Sequence, residues 1–395
     1  MSRYSFVRRT RSSVPRPASI LAVAALAAIA ACTGQAPRAP AVSQQPSTAE
    51  PGENLVVSSR ILTTRGGRVD WCHARNVIAF DRVTGPGTTE VYAVDPDGSN
   101  ERCVTCSAPL LPKGLRGQPA WHPSCEFMVI QVQGEHYERS RFEFLSWGIH
   151  NDLWLVADDG RWTQKLVTAE RLGAALHPHF SDNGDRLFWS ARRSTGRAIR
   201  QRLLDRTPGS ENPWDGWYLS IARFEMPVQS KAVLSDRKDL YASEGGFFES
   251  HALRGNTIWL SHTAGGRPLV DDVFYARADG TGRINISASP STWEEHVEES
   301  PGGRLITFNS SRGFAWRHPP DMAATLRLEL WARRPDSSQM IQLTWLNARA
   351  RPGERILTSD YAWGPGGQEI AVYYATFGRG EPTQTIEILR LDQRY

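Results

Sequence analysis

From about Leu55 onward, the chain repeats one pattern of apolar and polar positions. An aromatic residue is followed by a tight turn, an apolar strand, a second apolar strand, a turn often built on Asp-Gly, and a third strand. The pattern reads "VDWCHARNVIAFDR" with "EVYAVDPDGSNERCVT", then "PAWHPSCEFMVIQV" with "NDLWLVADDGRWTQKLVT". It continues as "PHFSDNGDRLFWSA" with "WYLSIARF", and as "SHALRGNTIWLSH" with "DVFYARADGTGRINIS". The last two copies are "EESPGGRLITFNSS" with "LELWARRPDSSQMIQLT", and "YAWGPGGQEIAVYYA" with "TIEILRLDQRY". The strands carry β-branched and aromatic residues in partial alternation, and turn residues fall between them at Asp97-Gly98, Asp279-Gly280, Pro301-Gly302-Gly303 and Pro365-Gly366-Gly367, as strands joined by hairpins require.

Repeats of about 45 to 70 residues with some four strands each predict an all-β, six-bladed β-propeller, which hides its sheet edges by closing radially. The sixth copy supplies three strands, and an orphan strand, "SSRILTT", precedes the first. A segment over Leu55–Thr64 that completes the last blade would leave neither end as a bare edge. The propeller is therefore expected over residues 55–395.

The "W-x-P-x-G" turns, the "iaf" strands and the Asp-Gly turns resemble the TolB-like, WD-like propeller repeats of bacterial envelope proteins. The resemblance covers nearly all of Leu55–Tyr395 and implies a fold more than a function, since such propellers serve as docking platforms, ligand binders and occasionally enzymes. The third copy departs from it by a long insertion and the fourth by a shortened first turn, "LRGN".

The first residues read differently. Arg3, Arg8, Arg9, Arg11 and Arg16 precede the apolar run "ASILAVAALAAIAA", too short for a membrane span and of export-signal type over residues 1–31. Ile29-Ala30-Ala31-Cys32 resembles the lipobox of bacterial lipoproteins, which implies cleavage before Cys32 and acylation of its thiol. Residues 32–54, rich in Pro, Ala and Gln, form the expected flexible tether. A lipid-anchored protein of the cell envelope follows, held on the outer membrane and facing the periplasm, with the lipid as its only membrane contact.

Removal of the signal also changes the charge. The whole chain has 46 basic and 42 acidic residues, but five of the arginines lie before Cys32, so the remainder is close to neutral. A nucleic-acid footprint needs clustered positive charge, and none is left. Four cysteines remain, Cys72, Cys103, Cys106 and Cys125. In an exported protein they suggest disulfides, with three possible connectivities, and Cys103 with Cys106 would be a zinc half-site only if another pair joined them.

Candidate chemistry lies on the innermost strands. Alignment of the copies on their aromatic or turn residue brings Arg68, Gln118, His177, His296 and Asp360 to one position, where Ser250 or His251 falls in the fourth copy, and the ring is read as Arg68, Gln118, His177, His251, His296 and Asp360. That position is expected to begin the inner strand, so the six side chains should ring one mouth of the central channel. Three imidazoles with an amide or carboxylate oxygen suit zinc, manganese or iron. Three His and one Gln at a propeller mouth also resemble oligogalacturonate lyase. That resemblance implies manganese, β-elimination of an acidic sugar, and His177, His251, His296 and Gln118 as ligands, with His179 a further imidazole. No catalytic residue is matched by motif. Glu249, Glu294 and Glu295, beside these histidines in sequence, could orient imidazoles.

Three long segments, 134–150, 192–217 and 312–327, interrupt the second-to-third strand connections and bring arginine together with Tyr137, Trp147, Trp214, Trp217 and Trp316. Loops of this kind on a rigid scaffold bind ligands, and Arg with Trp and Tyr suits sugars, carboxylates or protein surfaces. The expected function is a binding platform for an envelope protein or an acidic carbohydrate at this mouth. The competing expectation is a metal-dependent lyase or hydrolase on such a carbohydrate. Glycine-rich phosphate loops, G-x-S-x-G elbows and H-E-x-x-H helices are absent from the sequence.

Overall fold

A computed structural model describes residues 54–134, 150–170, 173–193, 216–228, 230–263, 271–287, 289, 291–315 and 325–392. Its strands form six four-stranded antiparallel sheets. Blade 1 is β2 (Val69–Cys72), β3 (Val77–Gly85), β4 (Thr88–Val94) and β5 (Arg102–Cys103). Blade 2 is β6 (Arg116–Trp121), β7 (Phe127–Gln133), β8 (Asn151–Ala157) and β9 (Thr163–Val167). Blade 3 is β10 (Ala174–Phe180), β11 (Arg186–Arg192), β12 (Trp217–Val228) and β13 (Lys231–Leu240). Blade 4 is β14 (Phe248–Arg254), β15 (Thr257–Thr263), β16 (Asp271–Arg277) and β17 (Ile284–Asn285). Blade 5 is β18 (Glu294–Glu299), β19 (Ile306–Ser310), β20 (Glu329–Arg333) and β21 (Met340–Gln342), followed by a one-turn helix α1 (Leu346–Arg349).

The sixth sheet closes the ring. Its order is β22 (Arg355–Trp363), β23 (Glu369–Phe377), β24 (Thr383–Leu391) and then β1 (Val56–Thr63). The first strand runs antiparallel to the last, with Ser59 opposite Leu389, Ile61 opposite Glu387 and Thr63 opposite Ile386. Leu55 packs into the core between blades 5 and 6 and Leu62 into that between blades 6 and 1. Ring closure therefore joins segments distant in the chain and satisfies both strand edges.

The core lies between blades. Trp121, Met128, Ile130 and Trp154 of blade 2 pack with Ala79, Val91 and Ala93 of blade 1. Further side chains join the blades: Tyr361 donates its hydroxyl to the carbonyl of Thr307, and the Trp363 indole N–H donates to the Thr307 hydroxyl. The aromatic residue of the repeat is a packing residue, since Trp71, Trp121 and Trp363 are all buried. Two disulfides settle the cysteine pairing, Cys72 with Cys125 across blades 1 and 2, and Cys103 with Cys106 within one turn. The second pair ties up both thiols, so they do not act as a zinc half-site with nearby Glu90, which is engaged by Arg116.

One expectation is corrected here. Trp217, assigned above to a ligand-binding loop, opens β12 and is buried, with its ring edge-on to Phe247 at 4.9 Å between centroids. The apolar start of a strand and the aromatic tip of a loop look alike in sequence.

Candidate metal centre in the axial channel

The ring positions sit differently from the expectation that they begin the inner strands. In five of the six blades the residue lies inside the inner strand, at a β-bulge. Leu176 pairs with Ser190, but His179, three residues on, pairs with Phe188, two residues back. The same single-residue excess falls between Gly117 and Ala120, Ser250 and Ala252, Glu295 and Glu298, and Thr358 and Tyr361. The extra residue has no ladder partner and is re-aimed out of the sheet. Gln118, His177 and His296 reach this orientation at positive φ (54°, 47° and 55°). Arg68 immediately precedes β2 and accompanies them in the channel.

A bulge strands backbone polar groups, and in five blades a polar side chain of the preceding blade recovers one, an amide in four of them and a carbonyl in the fifth. Gln118 N–H donates to Asp81 Oδ2 (3.0 Å), His177 N–H to Gln131 Oε1 (3.1 Å) and Ser250 N–H to Ser190 Oγ (2.8 Å). His296 N–H reaches His251 Nε2 (3.3 Å), itself 2.9 Å from Ser261 Oγ, and Asn309 Nδ2 donates to the Ser359 carbonyl (2.7 Å). Asp81, Gln131, Ser190, Ser261 and Asn309 are all buried on the second strands of their blades. Sequence reasoning missed them, although the signal is present: "VIAFD", "MVIQ", "LFWS", "IWLS" and "ITFN" each end an apolar run on a polar residue.

The bulges bring three imidazoles together. His177, His251 and His296, from three blades, offer ring nitrogens that all lie within 4.8 Å of one another, with ring centroids 5.1–6.3 Å apart. They line a cavity of about 60 Å³ together with Arg68, Asp70, Gln118, His179 and Asp360. His177 Nδ1 stands 2.6 Å from Glu249 Oε1, which fixes the proton there and leaves Nε2 as the lone-pair nitrogen. Gln118 donates Nε2–H to Asp360 Oδ1 (2.8 Å), while its Oε1 is buried with no partner. Asp360 also lies 3.7 Å from Arg68 Nε and 4.0 Å from His296 Nδ1.

The electrostatics divide the imidazoles. Burial, then His296 and His177, hold His251 well below its ordinary pKa. Burial, then His177, lower His179 to about 3. For His296 burial opposes charging, but Asp360, Glu249 and Glu295 outweigh it and raise its pKa. Asp360 is lowered despite its burial by His296, His177 and Arg68. His251 and His179 are thus neutral at physiological pH, the form that ligates metals.

The remaining sequence candidates fall as follows. Glu249 meets His177 and Glu295 lies 3.9 Å from His296, whereas Glu294 contacts Ser310 and Arg312 rather than an imidazole. Tyr137, Trp147, Trp214, Trp316 and Cys32 lie outside the described residues. The chain leaves β7, β11 and β19 for the long connections at the face from which the inner strands start. At the opposite face the channel widens into a cavity of about 310 Å³. Asp70, Trp121, His179, Asp182, Arg254 and Glu298 are among the residues that line it.

No protein-family model matches the chain, and no curated protein matches it either. Solved structures do. A candidate TolB from Agrobacterium tumefaciens is 12% identical, with a TM-score of 0.49 over 80% of this chain and 93% of that one. An oligogalacturonate lyase in complex with manganese is 10% identical, with a TM-score of 0.45 over 86% of this chain and 96% of that one. An oligogalacturonate lyase from Vibrio parahaemolyticus is 7% identical, with a TM-score of 0.42 over 85% and 94%. The likeness is one of fold, and it carries nothing about the site.

Proposed function

We propose that this protein is an envelope propeller that holds a divalent metal, manganese, zinc or iron, in its axial channel and uses it to bind an anionic ligand. One observation carries the reading: three imidazoles from three blades converge in a buried cavity beside an amide oxygen that has no partner. Two ligands on one metal, with bonds of roughly 2.0–2.1 Å, stand about 3.0–3.6 Å apart. The nitrogens are therefore within about an ångström of closing on an ion, and Gln118 Oε1 suits a fourth donor. Imidazole nitrogens with one oxygen suit such metals, and the Glu249 carboxylate on His177 is the usual support for a ligating histidine. Metal chemistry of this kind would polarise a carboxylate or carbonyl oxygen; the channel's own arginines, Arg68 and Arg254, are already paired with Asp81 and Asp360 and with Asp182 and Glu298.

Binding is favoured over turnover because the sequence supplies no base by motif and His179, held neutral, is a weak one. The ligand classes that suit this channel are an acidic carbohydrate and an acidic segment of an envelope protein. The lipid anchor at Cys32, the tether and the outer-membrane location rest on the sequence alone. Elemental analysis of purified protein tests the metal, with one equivalent expected in the wild type and loss in the His177→Ala/His296→Ala pair. Metal-free protein from every preparation would overturn the reading. Ultraviolet absorbance of unsaturated sugar product on incubation with oligogalacturonate separates the lyase from the platform. Labelled fatty acid incorporated by wild type but not by Cys32→Ser tests the anchor.

A further inference from the structure

We propose that Glu249, Asp271 and Glu295 form a second cation site, all of oxygen donors, that takes a hard divalent ion such as Ca²⁺. The three come from neighbouring strands. Glu249 on β14 pairs with Ser261 on β15, which pairs with Val273 on β16, so Glu249 and Val273 share one face of blade 4. Asp271, two residues from Val273, points to that same face. Blade 5 packs there through β18, which carries Glu295. One oxygen each of Glu249 and Glu295 lies within 4.8 Å of the other and of a His296 nitrogen.

Acidic neighbours alone make no site; Asp271 is what separates this cluster from a solvated one. It is fully buried, and neither of its carboxylate oxygens has a hydrogen-bond partner of bonding geometry. No Lys or Arg forms an ion pair with any of the three carboxylates among the described residues. Each keeps an oxygen available. Glu249 gives Oε1 to His177 and retains Oε2, which Ser261 approaches at 3.4 Å, while Glu295 gives Oε2 to the Trp293 indole and retains Oε1. Glu249 and Glu295 have imidazoles beside them, but Asp271 has no cationic partner among the described residues, so burying it as an ion is costly. Burial, then Glu249 and Glu295, push Asp271 well above the carboxylate range, with only the Ser261 hydroxyl opposing. A divalent cation would replace the Asp271 proton. Carboxylates alone suit the hard ions calcium and magnesium, whereas an imidazole-rich set suits transition metals, so this site differs in kind from the histidine centre although Glu249 stands between them.

The test is isothermal titration of chelator-treated mature protein with Ca²⁺ and, separately, with Zn²⁺. Wild type should bind one Ca²⁺ with proton release, His177→Ala should retain that binding, and Asp271→Asn should weaken it at least tenfold while still binding Zn²⁺. Asp271→Asn keeps the size and the neutrality that the protonated acid has without metal and so should melt in chelator near the wild-type temperature, which guards against misfolding as the explanation. Ca²⁺ should raise the melting temperature of wild type but not of this variant. Absence of Ca²⁺ binding by wild type, or unchanged Ca²⁺ affinity in Asp271→Asn, overturns the proposal. Loss of Zn²⁺ binding alone in His177→Ala would speak only to the histidine centre.

Discussion

Ser190→Ala probes the device that shapes the channel. Ser190 is fully buried on β11; its Oγ accepts the Ser250 N–H (2.8 Å) and meets the Ser250 hydroxyl at 3.0 Å. Ser250 in turn donates that hydroxyl to the His177 carbonyl (2.6 Å). Alanine keeps nearly the same volume but leaves the Ser250 amide, next to the bulged His251, without an acceptor. A buried donor left unsatisfied costs about 1–3 kcal/mol. A ring of about 340 residues has a melting entropy of roughly 0.7 kcal/mol/K, so the melting temperature should fall by about 1.5–4 °C. Urea unfolding followed by tryptophan fluorescence reads the loss directly, with Ser58→Ala on the exposed strand β1 as the control, expected within about 0.5 kcal/mol of wild type. If the two variants are equally stable, the bulge amides do not depend on the neighbouring blade, and the account of how the ring residues are aimed fails.

Glu249→Gln should weaken metal binding at the histidine centre about 10- to 100-fold without unfolding the ring, read by competition with a chromophoric chelator; unchanged affinity would remove Glu249 from that role. The Cys72–Cys125 bridge spans 53 residues of sequence and the Cys103–Cys106 bridge only 3. Replacing the first pair by alanine should cost about 2–4 kcal/mol and the second clearly less, measured by urea unfolding. His122, stacked on Phe127 at 4.5 Å, has its pKa lowered by burial. Its unfolded form therefore takes a proton near pH 6.5 that the folded form resists, and stability is lost as pH falls below that value. Unfolding curves between pH 7.5 and 5.5 should show a smaller loss in His122→Leu than in wild type, and equal losses would contradict the assignment.

How much of this was legible in the sequence depends on the kind of signal. Blade number and ring closure were, because Asp97-Gly98, Asp279-Gly280 and the Pro-Gly-Gly turns punctuate strands at the same place in successive copies, and "SSRILTT" repeats a strand otherwise missing from the last copy. The residues that line the channel cavity were legible for the same reason except in the fourth copy, where the shortened turn left Ser250 and His251 both open. Their depth along the strands was not. A bulge adds one residue of no particular type, so nothing in "LHPHF" says that His177 and Pro178 leave the ladder between Leu176 and His179. The side chains that hold the bulges are each a single polar residue closing an apolar run, readable only when all the copies are compared. Asp271 could not be singled out, since its importance comes from three strands and the next blade, and Trp217 looked like a loop residue until its packing on Phe247 was visible.

Anomalous diffraction from crystals soaked in Mn²⁺ or Zn²⁺ tests the central claim most directly. The expected map has a peak on the channel axis about 2.0–2.3 Å from one nitrogen each of His177, His251 and His296. A map with no peak among these three rings, or with the ion bound only elsewhere on the propeller, would contradict it.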